Sequence, residues 1–184
     1  MATWPFGRKK PVDPRGPDSS NSMENVLSIL SPEEVGSLGG LPDEAIAGTI
    51  VGDVPAPETF QPNPRFIEFM HQVIRTAAPA DPDFRAAARM QGNGWVYIID
   101  LRTPDGPQGR VPPEDIIGAF QVQNGEVLPD TYWPNEQHRV LTSSGLVSLP
   151  PSFRAAFVEQ LSKVRAARAE VLGVRPAWRT DGMN

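Results

Sequence analysis

The sequence contains no cysteine, only two histidines and no long run of apolar residues. Without cysteine there is no disulfide, no thiol nucleophile and no thiolate metal site, so a disulfide-rich secreted scaffold is excluded and a reducing cytoplasm is the expected location. No stretch approaches the roughly 18 consecutive apolar residues of a membrane-spanning helix. The basic residues 8–10 are followed by prolines rather than by the apolar run of a signal peptide. The sequence therefore predicts a soluble protein with no membrane partner.

Basic residues are missing from one long segment. Between Gly16 and Pro64 there is no lysine, arginine or histidine, and the first third of the chain carries the whole formal net charge of -5. Acidic and basic residues balance in the rest of the chain. This asymmetry predicts an acidic arm over residues 1–62, a globular domain over 63–175 and a C-terminal tail over 176–184.

Proline is abundant, at 21 residues, about double its ordinary share. Because each proline fixes its own backbone angle and lacks an N–H donor, the arm is expected to be largely disordered. Residues 23–30 and 42–50 carry apolar side chains that predict two short helices, which are marginal in isolation. Between them, Ser31 is placed to cap a helical turn begun by Pro32. We therefore expect these segments to fold by docking on another surface.

The rest of the chain alternates helix and strand signals. Asn63 and Asp81 are predicted helix caps, and each precedes a proline at the first helical position. The aromatic and β-branched run 95–101 predicts a mostly buried strand, and Asn124-Gly125 predicts a tight hairpin. An amphipathic helix closes the domain. The sequence as a whole predicts an α+β fold, in which helices cover a small antiparallel sheet and the acidic, largely disordered arm precedes it.

One part of the sequence could gather residues for acid–base chemistry. One alternative is a small enzyme or ligand-binding domain, whose candidate site comprises Asp100, Glu114, Tyr132, His138 and Arg139. General acid and base groups must lie within hydrogen-bonding reach of one substrate, so this alternative requires a pocket that gathers these side chains. The acid at 114 is equally explained by the dipole of a first helical turn, and the histidine by a hydrogen bond that holds its loop.

No motif supplies further chemistry. The glycine turn at 92–94 precedes a strand instead of following one, which is not the dinucleotide fingerprint, and phosphate loops, serine elbows and zinc-protease motifs are missing. His71 and His138 are far apart in the chain, so neither a metal ion nor a cofactor is expected. His71 lies among polar residues of its helix and is interpreted as a solvated surface residue.

The favoured function is a non-catalytic protein-interaction or adaptor protein whose acidic arm docks on a partner. Short apolar segments edged with carboxylates are typical of chains that fold on binding. The expected partner is another protein with a basic or apolar groove, and the chain's own arginine-rich C-terminal helix is a second acceptor for the arm. Nucleic acid is disfavoured because phosphate binding needs clustered positive charge. The predicted partner-binding residues are Leu27, Leu30, Ile46, Tyr132, Trp133, Arg165 and Arg168.

Overall fold

Antiparallel sheets and helices alternate along the chain in the computed structural model, which describes residues 24–103, 106 and 109–171. The strands are β1 (Glu24–Ser28), β2 (Ile46–Val51), β3 (Phe60–Pro62), β4 (Gly94–Ile99), β5 (Ile116–Gln123), β6 (Glu126–Val127), β7 (Trp133–Pro134), β8 (Leu141–Thr142) and β9 (Gly145–Leu146). The helices are α1 (Pro32–Ser37), α2 (Pro64–Ala77), α3 (Pro82–Gln91) and α4 (Pro151–Val171). The predicted α+β class with antiparallel sheets is confirmed.

The strands form three sheets. The first has the order β1-β2-β3, and β8 pairs with β9 in a separate two-stranded sheet. In the second sheet, β5 pairs with β4 on one side and with both β6 and β7 on the other. The turn between β5 and β6 has positive φ at Asn124 and Gly125, as the predicted hairpin requires.

Helices α2 and α3 begin directly after their predicted N-cap residues. The side chain of Asn63 accepts a hydrogen bond from the amide of Arg65, and that of Asp81 accepts one from the amide of Phe84. Ser31 and Glu34 form a reciprocal capping box at the start of α1. These bonds occupy N–H groups that a helix start otherwise leaves without partners.

Residues 24–62, which the sequence assigns to the arm, pack on the rest of the protein. The two segments predicted to be short helices are strands instead: residues 24–28 form β1, and residues 46–51 form β2 after a single 3-10 turn. The physical reason is that these strands pair with each other, with Asn25 opposite Ile50, so distant hydrogen bonds outweigh a weak local helix preference. Residues 1–23 and 172–184, which include the rest of the predicted arm and the predicted tail, lie outside the described residues.

One hydrophobic core joins the two parts of the chain. Phe66 and Phe69 of α2 contact the ring of Phe157 on α4, with centroid separations of 5.6 and 5.1 Å. Leu30 and Ala47, from the segment predicted as arm, belong to the same cluster of buried side chains. The first sheet is therefore held by apolar contacts with the helices as well as by its own ladder.

Candidate functional site

The first candidate is a buried ionic cluster formed by Asp100, Arg102, Asp115 and His138, here called the Arg102 cluster. Arg102 Nε lies 3.2 Å from Asp100 Oδ2 and 3.1 Å from Asp115 Oδ1, and each of these side chains is at most 3% exposed. His138 Nε2 lies 3.3 Å from Asp100 Oδ2. The second oxygen of Asp100 accepts the backbone amide of Ser148 at 2.9 Å. The cluster thus connects the end of β4 with three other parts of the chain.

The remaining donors of Arg102 bind backbone oxygens, mainly those of the segment 139–145. Its terminal nitrogens donate to the carbonyls of Arg139, Val140 and Gly145. A planar guanidinium with five donors is suited to several fixed acceptors at once. Buried polar groups that all have partners fix the geometry of the loops around them. The Arg102 cluster therefore holds the loop after β4 against the small sheet of β8 and β9.

The structure brings together only part of the catalytic alternative derived from the sequence. The side chains of Asp100 and His138 are in contact. Glu114 contacts the cluster through its backbone carbonyl, and Arg139 contacts it through its backbone groups. Tyr132 hydrogen-bonds a different histidine. A groove of about 650 Å³ is lined by Glu114, His138 and Arg139, but the side chains of His138 and Asp100 are 3% and 0% exposed. The buried contact between Asp100 and His138 therefore holds two loops of the protein together.

His71 is half-buried, so its interpretation as a solvated surface residue is wrong. Its Nδ1 lies 2.6 Å from the hydroxyl oxygen of Tyr132, a residue 61 positions further along the chain. Burial, together with the nearby charges of His138 and Arg75, lowers the pKa of His71 to about 4. Burial also raises the pKa of Tyr132. At neutral pH the pair is an uncharged imidazole hydrogen-bonded to a protonated phenol.

We expect His71 to stay neutral well below the usual titration range of histidine. In the unfolded chain the imidazole of His71 takes up a proton near pH 6.5, whereas in the folded chain it does so only near pH 4. The folded state therefore loses stability as pH falls from 6.5 to 4, and its stability is unaffected by this group above pH 6.5. NMR titration of the imidazole ring protons, assigned by comparison with His71→Gln, measures the midpoint. A midpoint near 6.5 would show that the ring is solvated.

The acidic segment contacts the C-terminal helix through three arginines. Arg154 donates from its two terminal nitrogens to the two carboxylate oxygens of Glu34, at 2.5 and 2.6 Å. Arg168 forms a second two-point contact with Glu44. Arg165 donates to backbone carbonyls at residues 39 and 40. The sequence left two acceptors open for the arm, an external protein and the chain's own C-terminal helix. The acidic segment is in contact with the second of these, helix α4.

These contacts shift the pKa of both carboxylic acids. The hydrogen bonds from Arg154 have the largest effect on Glu34, and together with the hydrogen bonds from Ser31 they outweigh the opposing effect of burial and lower the pKa of Glu34 to about 2. Burial works to raise the pKa of Glu44, but the hydrogen bond and charge of Arg168, a backbone hydrogen bond and the charge of Arg65 together outweigh it, and the pKa is lowered overall. Both side chains are therefore ionised throughout the neutral range.

Replacing Glu34 with glutamine should lower the free energy of unfolding by about 1 to 2 kcal/mol at pH 7, because the pair with Arg154 is partly exposed and partly screened by solvent. In the wild type, the stability that ionised Glu34 contributes is fully present above pH 4.5, the ordinary pKa of the acid. This stability is lost as pH falls toward 2. Urea unfolding at pH 7 and at pH 2.5 measures the difference between variant and wild type. The exposed neighbour Glu33 gives the control, Glu33→Gln, for which we expect no measurable change.

The aliphatic residues predicted to bind a partner are used inside the protein. Leu30 is 9% exposed and belongs to the core, so, contrary to the prediction, its side chain is not available to bind a partner. Leu27 on β1 and Ile46 on β2 are half-buried. The reason is that the segment folds into a sheet whose inner side lies on the helices. The apolar residues of the arm that suggested an external docking surface therefore contribute mainly to the protein's own fold.

The second candidate is a group of aromatic side chains on the outer face of the second sheet. Trp95 and Tyr97 of β4 are 37% and 49% exposed, and Trp133 of β7 is 47% exposed. Tyr97 and Trp133 both pair with Ala119 on β5, one from each side, and Ala119 is fully covered. We call Trp95, Tyr97 and Trp133 the aromatic face. Trp133 was among the predicted partner-binding residues, and its exposure is consistent with that role.

The expectation that residues 95–101 form a mostly buried strand is corrected by the alternation along β4. Val96 and Ile98 are 8% and 2% exposed and point into the core, whereas Trp95 and Tyr97 point outward. The signal was available in the sequence, because side chains two residues apart share one face of a strand. Sequence reasoning also missed Arg102, whose buried role depends on carbonyl groups about forty residues away in the chain.

Within the part of the chain described by the structure, no helix combines the length and apolar character needed to cross a membrane. Residues 24–103, 106 and 109–171 also contain no group of three or more metal-binding side chains suitably placed around one point. Comparisons of the chain with protein-family models, with curated proteins and with solved structures gave no match.

Proposed function

We propose that this is a non-catalytic protein-interaction or adaptor protein that contacts its partner through the aromatic face. The observation that supports it is the exposure of Trp95, Tyr97 and Trp133, at 37%, 49% and 47%, on one side of one sheet. The solvated face of an antiparallel sheet ordinarily carries polar residues. Three neighbouring aromatic side chains on that face therefore support a binding role.

Aromatic side chains are suited to this role because they bury a large area and lose little conformational freedom on binding. Trp and Tyr are enriched among the residues that contribute most to binding free energy at protein interfaces. In the protein itself, Tyr97 and Trp133 lie on strands on either side of the buried Ala119, so the sheet fixes their backbone positions before a partner arrives. A preorganised surface loses less entropy on binding than a flexible one.

The chemistry of the face favours a protein partner with an apolar groove. Strand β4, Gly94–Ile99, contains no charged residue, so it offers no electrostatic attraction to phosphate groups. The acidic residues Glu34 and Glu44 pair with arginines of α4, so these two carboxylates are not free to pair with a basic partner. The cytoplasmic location inferred from the lack of cysteine stays a prediction.

Affinity capture from native lysate with the immobilised full-length chain tests this proposal. We expect Trp133→Ala to reduce recovery of the wild-type partner at least about fivefold, as for a residue that contributes more than 1 kcal/mol to binding. The control is Met90→Ala, because Met90 is also a large exposed apolar residue, at 89%, but lies on α3 and not on the face. Equal recovery by the two variants, with unchanged circular dichroism, would contradict the proposal.

A further inference from the structure

Among the described residues, no strand covers the outer edge of β4 at Trp95 and Tyr97. β4 pairs only with β5 among the described strands. Beyond the strand, the amide of Leu101 donates to the carbonyl of Ser148, so the edge is closed at that end. The open stretch is therefore short and has a defined limit.

The backbone groups at this edge can be assigned from the neighbouring strand. Gln121, which is opposite Trp95, receives a hydrogen bond at its carbonyl from the amide of Leu128 and donates its own amide to Thr131. Both groups of Gln121 thus point away from β4. In an antiparallel pair the opposite residue then also directs its N–H and C=O away from the shared ladder. Trp95 therefore presents both groups to the open edge, and Tyr97, two residues on, does the same.

No backbone group within the described ranges bonds to the outward N–H and C=O groups of Trp95 and Tyr97. Edge strands of monomeric proteins are usually protected by charged side chains, proline or a bulge. The stretch Gly94–Ile98 has neither charge nor proline, and the irregularity in pairing occurs only between Ile98 and Ile99. This edge has the features of a strand that accepts another strand.

We propose that the occupant of this edge is β4 of a second copy of the chain, paired antiparallel about a two-fold axis through Val96. In this register Trp95 of each copy is opposite Tyr97 of the other, and all four outward backbone groups of each copy form hydrogen bonds across the axis. A second copy fits because the strand is uncharged, so two identical strands meet without like-charge repulsion. The contact is isologous and closes on itself as a dimer.

The two-fold arrangement extends the aromatic face. Residues directly opposite in an antiparallel pair project to the same side of the sheet, so Trp95, Tyr97 and Trp133 of both copies lie on one continuous surface. The inference rests on the proposed function in that the dimer doubles the surface offered to the partner. The two are separable by experiment, because Trp133 on β7 lies away from the β4 edge.

Amide hydrogen exchange of the wild-type full chain, followed by NMR at increasing protein concentration, tests the edge without any substitution. The amides of Val96 and Ile98 face β5 and should be protected at all concentrations. We expect the amides of Trp95 and Tyr97 to exchange rapidly in dilute solution and to become at least about tenfold slower as the concentration approaches about 1 mM. Rapid exchange of both amides over the whole range would overturn the proposal.

Sedimentation equilibrium of two matched variants tests the register. Trp95→Lys with Tyr97→Lys places lysine opposite lysine across the axis, whereas Trp95→Glu with Tyr97→Lys places glutamate opposite lysine. We expect the second variant to dimerise at least about tenfold more tightly than the first, because opposite charges stabilise cross-strand pairs and like charges destabilise them. Equal masses for the two folded variants would contradict the register.

The Trp133→Ala variant distinguishes this inference from the proposed function. It should keep the concentration-dependent protection of Trp95 and Tyr97 while losing the captured partner. Capture without any self-association would leave the interaction function standing and would refute the second copy as occupant of the edge. Self-association with capture unaffected by Trp133→Ala would refute the proposed role of the aromatic face.

Discussion

Replacing Arg102 with methionine is expected to destabilise the protein by about 3 to 5 kcal/mol, the cost of removing one partner from a buried ion pair. Asp100 and Asp115 would remain buried, at 0% and 3% exposure of their side chains, without the cation that now lies 3.2 and 3.1 Å away. Chemical denaturation at pH 7 measures the loss. The segment 139–145 should also lose protection from proteolysis, because Arg102 binds its backbone carbonyls.

A neighbouring arginine provides the control for this prediction. Arg139 is exposed and contributes only backbone groups to the cluster, so Arg139→Met should change the free energy of unfolding by no more than about 0.5 kcal/mol. Adding Asp100→Asn and Asp115→Asn to Arg102→Met should recover part of the lost stability, since the two uncompensated charges are removed. A loss below about 1 kcal/mol for Arg102→Met alone would contradict the buried position of its side chain.

Truncating Phe157 to alanine is expected to cost about 3 to 5 kcal/mol, the range for deleting a large aromatic side chain from a core. Phe157 is fully buried on α4 and contacts the rings of Phe66 and Phe69 on α2. Because Leu30 belongs to the same cluster, the variant should also weaken the packing of the first sheet. Urea unfolding measures the loss of stability, and hydrogen exchange of β1 and β2 reports on the sheet.

Met90→Ala is the control for the Phe157 substitution, because Met90 is 89% exposed and its truncation leaves no cavity. Its effect should remain within about 0.5 kcal/mol. If Phe157→Ala behaved like this control, or if β1 and β2 kept full exchange protection, residues 24–62 would not share the core of the helices.

The features that could be predicted from the sequence are those encoded by adjacent residues. Asn63 with Pro64 and Asp81 with Pro82 specify helix starts because the cap side chain and the fixed proline angle act within one turn. Asn124 with Gly125 specifies the β5–β6 turn for a similar reason.

The features that could not be predicted depend on groups far apart in the chain. The apolar residues of segment 23–30 suit a short helix or a strand equally, and only the partner strand β2, paired through Asn25 and Ile50, decides between them. The sequence around His71 is polar, yet Tyr132 hydrogen-bonds its ring and helps to exclude solvent from it. Local propensity carries no information about such contacts.

The candidate site also combines features that adjacent residues predict with features that depend on distant parts of the chain. The exposure of Trp95 and Tyr97 follows from the alternation of side chains along β4, which is a local rule that can be applied to the sequence. Which side of the strand faces the core depends on α3 and on β5, so the sequence alone does not select between the two sides. The charge asymmetry of the chain suggested an external partner for the acidic segment, but its described carboxylates at Glu34 and Glu44 meet the arginines of α4.

Photo-crosslinking from the aromatic face in native lysate tests the proposed interaction most directly. The full chain carries benzoylphenylalanine in place of Tyr97, with the same probe in place of Met90 on α3 as the control position. We predict that irradiation joins position 97 to a protein other than a second copy of the chain, identified by mass spectrometry, and that position 90 gives no such adduct. The same adducts from both positions, or none from position 97, would contradict the assignment of the aromatic face as a protein-binding surface.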